Sequence, residues 1–225
     1  MPYTLGLVLA IAHRTPRTAA DCQRLADLGV SVFEVDLQFL AGAPVVSHFL
    51  PPLPILPRVR HDGWKFTLRA RAKAEEDLAA VVDRVPAGSA VLVDLKSDDV
   101  RHAGLLVDLL RASDRPPAGW YVSGKDPGAL AVIAAAGYRT WLSVGTRGEF
   151  VAALNGQLPD GLDGLTVRQT YLDRATTGKL LGHVPRLVAW TVNKVYRAQE
   201  LAELGVTGIT SDSEAVHRYV GSQPS

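Results

Sequence analysis

Ala26-Asp-Leu-Gly29-Val-Ser-Val-Phe33 is the first of three stretches in which a helical run, a glycine and a β-branched run follow one another. The same order returns at Ala134–Trp141 and at Ala202–Ile209. Glycine is favoured just past the end of a helix because it accepts a left-handed backbone without steric cost. The apolar run after each glycine is typical of a strand that is buried on both faces. The pattern therefore predicts alternating β and α units around a parallel sheet.

The number of predicted strands suits a (β/α)8 barrel, with eight barrel strands and one or two additional ones. The alternative is a doubly wound open sheet, which usually has a glycine-rich phosphate loop after its first strand. Here the first strand is followed by His13-Arg14-Thr15-Pro16, which contains no glycine. We therefore expect residues 1–225 to form one barrel domain. The predicted strands are Thr4–Ala12, Val30–Leu37, Pro44–Ser47, Lys65–Leu68, Ala90–Leu95, Gly119–Ser123, Arg139–Val144, Gly164–Val167, Leu187–Val192 and Gly208–Thr210.

The composition indicates a globular protein without a polyanionic or membrane partner. The chain has 225 residues, is 47% hydrophobic and carries a formal net charge of +1, so no large basic surface for nucleic acid is expected. The only cysteine, Cys22, excludes an internal disulfide. The apolar run Tyr3–Ala12 is far shorter than a membrane-spanning helix and follows no basic segment. We expect a cytoplasmic protein without a transmembrane segment, and the sequence does not indicate its oligomeric state.

Two pairs of charged residues lie at the ends of predicted strands, where barrel enzymes have their active sites. Glu34 and Asp36 are two residues apart and so point to the same face, among apolar neighbours. Two buried carboxylates repel each other, and a bound Mg²⁺ or Ca²⁺ relieves that repulsion; the alternative is a structural network with Arg or Lys. Asp94 and Lys96 have the same two-residue spacing. Asp94 could be a third carboxylate ligand of the metal and Lys96 a ligand of a phosphate, or the two could form an internal salt bridge.

Two histidines, His13 and His48, also follow predicted strands. Near a metal ion and a phosphate-binding group, such a pair can perform general acid–base cleavage of a phosphodiester, one ring accepting a proton and the other donating one. The remaining histidines are interpreted as structural; they are His61, His102, His183 and His217.

The order of these motifs along nearly the whole chain resembles that of the glycerophosphodiester phosphodiesterases. That family has His-Arg after its first strand, Glu-x-Asp on the second, an apolar run ending in His, an acidic-x-Lys strand, and two closing motifs. The corresponding stretches are His13-Arg14, Glu34-Val-Asp36, Pro44–His48, Asp94-Leu-Lys96, Trp190-Thr-Val-Asn193 and Gly205–Asp212.

The resemblance implies a (β/α)8 barrel that hydrolyses a small-molecule glycerophosphodiester to glycerol 3-phosphate and an alcohol, with Mg²⁺ or Ca²⁺ as cofactor. It implies metal ligands at Glu34, Asp36 and Asp94, an acid–base pair at His13 and His48, phosphate ligands at Arg14 and Lys96, and a pocket residue at Trp190.

The sequence departs from the family pattern around these residues, so the reaction class is better indicated than the substrate. Thr15 and Phe49 stand where the family usually has Gly and Asp, Arg17 replaces a carboxylate, and Asp94 replaces a Glu. The insertion after the second histidine is shortened to a proline-rich loop. Two alternatives follow: a lysophospholipid or specialised metabolite diester as substrate, or a barrel that binds a phosphorylated ligand without catalysis. The apolar residues expected to contact such a lipid are Phe49, Leu50, Leu53 and Leu56.

Overall fold

The computed structural model describes residues 8–16, 18–40, 42–46 and 76–223, which form nine strands and eight α-helices. The strands are β1 (Leu9–Ala12), β2 (Val32–Leu40), β3 (Ala43–Val46), β4 (Ala90–Leu95), β5 (Trp120–Gly124), β6 (Arg139–Val144), β7 (Gly164–Arg168), β8 (Leu187–Trp190) and β9 (Gly208–Ser211). The helices are α1 (Ala19–Asp27), α2 (Leu78–Val82), α3 (Val100–Ala112), α4 (Pro127–Ala135), α5 (Arg147–Leu154), α6 (Arg174–Leu181), α7 (Val195–Glu203) and α8 (Glu214–Gly221).

The parallel strands close into a ring, which confirms the predicted (β/α)8 barrel and excludes the open sheet. Around the ring the strands follow the order β1, β9, β8, β7, β6, β5, β4, β2, and β1 then pairs with β2. Ile11 is the register partner of Val32 on one side of β1 and of Thr210 on the other. Strand β3 lies outside the ring and pairs antiparallel with the end of β2.

The observed strands differ from the predicted ones mainly at their ends. The bounds of β4 and β6 are those predicted, whereas β8 ends at Trp190 and not at Val192. Trp190 is the register partner of Arg168, which is the last residue of β7, so the chain beyond Trp190 has no β7 residue to pair with. On the other side, the N–H of Val192 still donates to the carbonyl of Thr210 on β9. The predicted strand Lys65–Leu68 and the shortened insertion lie outside the described residues.

The local signals at the helix ends are also present. The glycines of the recurring pattern have left-handed backbones, with φ of 93°, 90° and 92° at Gly29, Gly137 and Gly205. These values confirm that each glycine ends a helix and turns the chain into the next strand. Thr18, Asp126 and Thr146 are of the residue types typical of N-caps, and their side chains accept backbone N–H groups of α1, α4 and α5. No helix in the described part of the chain is long and apolar enough to cross a membrane.

The interior of the barrel is filled by a layer of apolar side chains, and the polar residues lie above it. The layer consists of Ile11, Val32, Leu92, Tyr121, Trp141 and Val188. Because side chains two positions apart on a strand face the same side, the next inward positions reach the carboxyl end of the barrel. We call this end the mouth; the positions directly above the apolar layer are His13, Glu34, Asp94, Ser123, Ser143 and Trp190.

Candidate active site

Three carboxylates from two neighbouring strands meet at the mouth. Glu34 and Asp36 on β2 and Asp94 on β4 each offer an oxygen atom, and these atoms all lie within 4.8 Å of one another. Asp36 and Asp94 are direct register partners. Glu34 and Asp36 are only 5% and 4% exposed. The structure thus brings together the three residues that the sequence predicted as metal ligands.

The charge of this cluster is only partly balanced by lysine. Lys96 Nζ lies 2.7 Å from Asp36 Oδ1 and also pairs with Asp94, so the salt bridge expected as the alternative interpretation is present. Burial alone would lower the pKa of Lys96, but attraction by Asp94 and Asp36 outweighs it and raises that pKa. Burial, together with repulsion by Asp36 and Asp94, raises the pKa of Glu34 well above its usual value. Within the described part of the chain, the three carboxylates therefore outnumber the one ammonium group that is bound to them.

The cluster fits a hard divalent cation in both donor type and charge. Its donors are carboxylate oxygens, which Mg²⁺ and Ca²⁺ prefer. Among the described residues, the ammonium of Lys96 pairs with two of the three carboxylates, which leaves two negative charges in this set when all are ionised, and a divalent ion neutralises two. Asp94 is held in place by Ser123, whose hydroxyl donates to Asp94 Oδ1 at 3.0 Å. The described residues can thus hold such an ion at Glu34, Asp36 and Asp94.

The turn after β1 folds over Glu34. The backbone N–H of Arg14 donates to Glu34 Oε2 at 2.8 Å, and this bond opposes the rise in the pKa of Glu34. Thr15 donates both its backbone N–H and its hydroxyl to the carbonyl of Glu34, at 2.7 and 2.9 Å. A glycine, the family's usual residue there, would lack the second bond. Arg14 has a left-handed backbone with φ of 64°, which is uncommon for a residue other than glycine.

His13 is paired with an aspartate that directly follows the last barrel strand. His13 Nδ1 lies 2.8 Å from Asp212 Oδ1. Asn193 donates its amide to Asp212 Oδ2 at 3.2 Å and accepts the backbone N–H of Asp212 at 2.9 Å. Partial burial raises the pKa of Asp212, but the hydrogen bonds from His13 and Asn193 outweigh this and lower it overall. The carboxylate next to His13 is therefore ionised at neutral pH.

The sequence patterns assign no role to Asp212 or Asn193, although both residues come shortly after predicted strands. The signal that could have identified Asp212 is its place two residues beyond Thr210 on β9, the strand that closes the barrel against β1. In a closed barrel, residues just after two adjacent strands become neighbours, however far apart they are in sequence.

An aromatic residue and an arginine lie at the mouth opposite the carboxylates. Trp190 ends β8, and the guanidinium carbon of Arg168 is 5.4 Å from the centre of its ring. Nearby, Lys125 Nζ lies 3.1 Å from Glu149 Oε1. Burial raises the pKa of Glu149, but the N–H groups of Thr146 and Gly145 and the Lys125 ammonium lower it to about 2. Trp190 thus lies at the mouth, as predicted, and Arg168 is a mouth residue that the sequence patterns did not single out.

Some residues named in the sequence analysis have structural contacts, and others lie outside the described part of the chain. His102 Nδ1 lies 2.7 Å from Ser97 Oγ, and its ring stacks on Phe39 with ring centres 4.2 Å apart. His217 is buried, with Nε2 3.0 Å from the carbonyl of Ser211. These contacts agree with the structural interpretation of both histidines. The residues outside the described ranges are Arg17, His48, Phe49, Leu50, Leu53, Leu56 and His61.

Comparison with known proteins identifies the fold. No family model matches the chain, and no curated protein matches it either. Among solved structures, a putative glycerophosphoryl diester phosphodiesterase from Agrobacterium tumefaciens has a TM-score of 0.71 at 13% identity, covering 96% of this chain and 98% of its own. One from Silicibacter pomeroyi has a TM-score of 0.69 at 16% identity, covering 96% and 93%. An Oleispira antarctica phosphodiesterase in complex with sn-glycerol-3-phosphate has a TM-score of 0.68 at 17% identity, covering 96% and 98%.

Identities this low show a shared architecture and no more. The matches nevertheless extend over almost the entire length of both chains. The fold of this protein is accordingly the (β/α)8 barrel of solved glycerophosphodiester phosphodiesterases.

Proposed function

We propose that the protein is a metal-dependent phosphodiesterase that hydrolyses a glycerophosphodiester to glycerol 3-phosphate and an alcohol. The observation that carries the proposal is the buried cluster of Glu34, Asp36 and Asp94 at the barrel mouth. The paired His13 at the end of the neighbouring strand β1 supports it. The fold shared with solved glycerophosphodiester phosphodiesterases supports this reaction and this substrate class.

Glu34, Asp36 and Asp94 would hold Mg²⁺ or Ca²⁺. Such an ion supplies Lewis-acid stabilisation of the negative charge that develops on the phosphoryl oxygens. The carboxylates are well suited to hold it because the barrel strands fix them before binding, and Ser123 and Arg14 orient two of them by hydrogen bonds. A preformed set of ligands avoids the free-energy cost of ordering flexible side chains.

His13 is the proposed general acid or base. The ionised Asp212 accepts a hydrogen bond from Nδ1 and so holds the ring in one orientation, and we assign the exchange of a proton with the substrate to Nε2. Hydrolysis breaks the bond between phosphorus and the alcohol oxygen. Water, or a neighbouring substrate hydroxyl in a first step, loses a proton as it attacks, and the departing alcohol gains one. By its resemblance to the family, His48 is proposed as the second proton-transfer group.

Arg14 and Lys96 are proposed to bind the phosphate. The backbone N–H of Arg14 bonds to Glu34, and Lys96 contacts two of the three carboxylates, so both residues lie next to the proposed metal ligands. Trp190 is proposed to contact one of the two alcohols of the diester. With these assignments, each proposed residue of the described part of the chain lies at the mouth of one barrel.

The experiment is an assay of the purified protein on glycerophosphocholine, glycerophosphoethanolamine and a lysophospholipid, with Mg²⁺, with Ca²⁺ and with EDTA. We expect turnover that EDTA and Glu34→Gln both abolish. Cleavage of the lysophospholipid alone would replace the proposed substrate with the lipid alternative. The residues predicted to contact such a lipid are Phe49, Leu50, Leu53 and Leu56. A folded protein that binds the metal but cleaves none of the three would favour either a different diester as substrate or the non-catalytic alternative.

Arg14→Gly is expected to separate stability from phosphate binding. Glycine adopts the left-handed backbone of position 14 without the steric cost that arginine bears, so we expect the free energy of unfolding to rise by up to about 1 kcal/mol. Loss of the guanidinium should raise KM by about 10-fold or more. Arg14→Gln is the matched control, because it removes the charge but keeps the Cβ atom. It should raise KM similarly without stabilising the fold, as thermal unfolding and steady-state kinetics would show. An unchanged KM in both variants would exclude Arg14 as a phosphate ligand.

A further inference from the structure

We infer that Arg168 and Trp190 form a subsite for a second negatively charged group on the substrate, carried by the alcohol that is released. The inference rests on the proposed function and narrows its substrate class. It predicts that the protein prefers a diester whose alcohol bears a carboxylate or a phosphate over one whose alcohol bears only an ammonium group.

Arg168 faces the mouth and not the outer surface of the barrel. It is the register partner of Trp190, just as Thr166 two residues earlier is the partner of Val188. Val188 belongs to the apolar layer that fills the barrel interior, so this alternate set of β7 and β8 positions points inward. The guanidinium of Arg168 follows the same direction, since it lies over the ring of Trp190.

The position of this pair suits one arm of a substrate whose phosphate is held at the carboxylate cluster. Around the closed ring, β7 is four strands from β2 in either direction, and β8 is four strands from β4. Arg168 and Trp190 therefore lie across the mouth from Glu34, Asp36 and Asp94. The interior of an eight-stranded barrel is about as wide as one small ligand, and here the ligand would lie above the apolar layer that fills the interior. A single diester can thus contact the cluster with its phosphate and the pair with an alcohol group.

The charge of Arg168 is available to a ligand. Within residues 8–16, 18–40, 42–46 and 76–223, its side chain has no carboxylate partner and no hydrogen bond, and it is exposed. Two lysines at the mouth differ in this respect, because Lys96 is bound to Asp36 and Asp94, and Lys125 is bound to Glu149. A guanidinium offers several N–H donors in a plane, which suits a carboxylate or a phosphate.

The same contact disfavours a cationic alcohol group. The electron-rich face of an indole ring is the usual binding surface for a quaternary ammonium ion. At Trp190 the protein's own guanidinium already lies over the ring. A choline or ethanolamine group placed there would meet a like charge, whereas an anionic group would meet its counter-ion.

Glycerophosphoserine and glycerophosphoethanolamine test the inference, because their alcohols differ only by a carboxylate. We expect kcat/KM of the wild-type protein to be about 10-fold or more higher for glycerophosphoserine, mainly through KM. Arg168→Gln should abolish this preference, because kcat/KM should fall for glycerophosphoserine and rise for glycerophosphoethanolamine, whose ammonium no longer meets a like charge. Arg168→Lys should retain part of it. Arg111→Gln is the matched control, with the same loss of charge in the last turn of α3, and it should change neither rate.

Two kinetic results would overturn the inference. One is an equal kcat/KM for both diesters in the wild-type protein. The other is an equal loss on both diesters in Arg168→Gln, which would mean that Arg168 contacts the shared glycerophosphate part.

Calorimetric titration of His13→Ala with both diesters in the presence of Mg²⁺ separates this inference from the proposed function. Tighter binding of glycerophosphoserine supports the subsite even if the wild-type protein cleaves neither diester. Equal binding of both, with cleavage in the wild type, overturns the subsite and leaves the reaction standing. Binding of neither overturns both.

Discussion

Replacing His13 with alanine is expected to lower kcat for diester hydrolysis by about 10²- to 10⁴-fold, with a much smaller effect on KM. This is the usual contribution of a positioned general acid or base, which acts mainly in the transition state. Asp212→Asn should lower kcat by a smaller factor, about 10- to 10²-fold. An asparagine amide can donate a hydrogen bond to Nδ1 of His13 and so favour the wrong tautomer of the imidazole. The loss should be smaller than at a buried site, because the side chain at position 212 is 47% exposed and can turn away from His13.

Steady-state kinetics with separate kcat and KM values would check this expectation. Glu214→Gln is the matched control, because it makes the same change from carboxylate to amide two residues further along the chain. Glu214 binds Arg24 at 2.5 Å and not His13, so its kcat should be unchanged. Asp212→Glu should restore part of the activity by returning the acceptor. Full activity in His13→Ala would remove His13 from the mechanism, and full activity in Asp212→Asn would make the His13–Asp212 contact a structural one.

The contact between His13 and Asp212 shows what the sequence could not supply. The two residues are 199 positions apart, and no local pattern links them. They become neighbours because β9 pairs with β1 when the barrel closes. Each was recognisable as a residue following a strand, but the pairing depends on long-range closure that only the three-dimensional structure contains.

The carboxylate cluster was more predictable because half of its geometry is local. Glu34 and Asp36 share a face through the two-residue repeat of a strand, and this repeat can be read directly from the sequence. The register of β2 against β4, which sets Asp36 opposite Asp94, is not local. The role of Lys96 was open for the same reason: both a phosphate ligand and an internal salt bridge suit its spacing from Asp94. In the structure its ammonium lies against Asp36 and Asp94.

The barrel itself was predictable because its signals are short-range. Glycines at helix ends, N-cap residues and buried β-branched runs each act within a few residues, and they alternate along most of the chain. Arg168 gave no such signal. A charged residue at the end of a strand usually extends into solvent, and only the register with Trp190 shows that it faces the mouth.

Glu34→Gln is expected to stabilise the metal-free protein and to weaken metal binding. Burial and the neighbouring carboxylates raise the pKa of Glu34 in the folded state above the ordinary value of 4.5. A raised carboxyl pKa means that the folded state binds a proton more tightly than the unfolded state. The stabilising contribution is therefore complete at low pH and is lost as pH rises above 4.5 through the folded-state pKa. Glutamine carries no charge at any pH, so in EDTA the variant should be similar to the wild type near pH 4 and more stable near pH 8.

Thermal unfolding in EDTA and in excess Mg²⁺ or Ca²⁺ would measure both effects. We expect the variant to gain at least about 1 kcal/mol in EDTA at pH 8, or about 2–4 °C in Tm, because a buried charge without full compensation is removed. A metal ion at 100 times its Kd stabilises the folded state by about 2.7 kcal/mol, and only the wild type should show that gain. The order of stability should therefore reverse when the ion is added.

Glu149→Gln is the control for this reversal, because its carboxylate lies at the same mouth but has the opposite electrostatic balance. Hydrogen bonds and Lys125 lower the pKa of Glu149 to about 2, so its contribution to stability is present above 4.5 and is lost as pH falls towards 2. Glu149→Gln should therefore destabilise the protein at pH 8, by the same amount with and without metal. If Glu34→Gln behaved in this way too, and gained as much from the ion as the wild type, the three carboxylates would be a structural network and not a metal site.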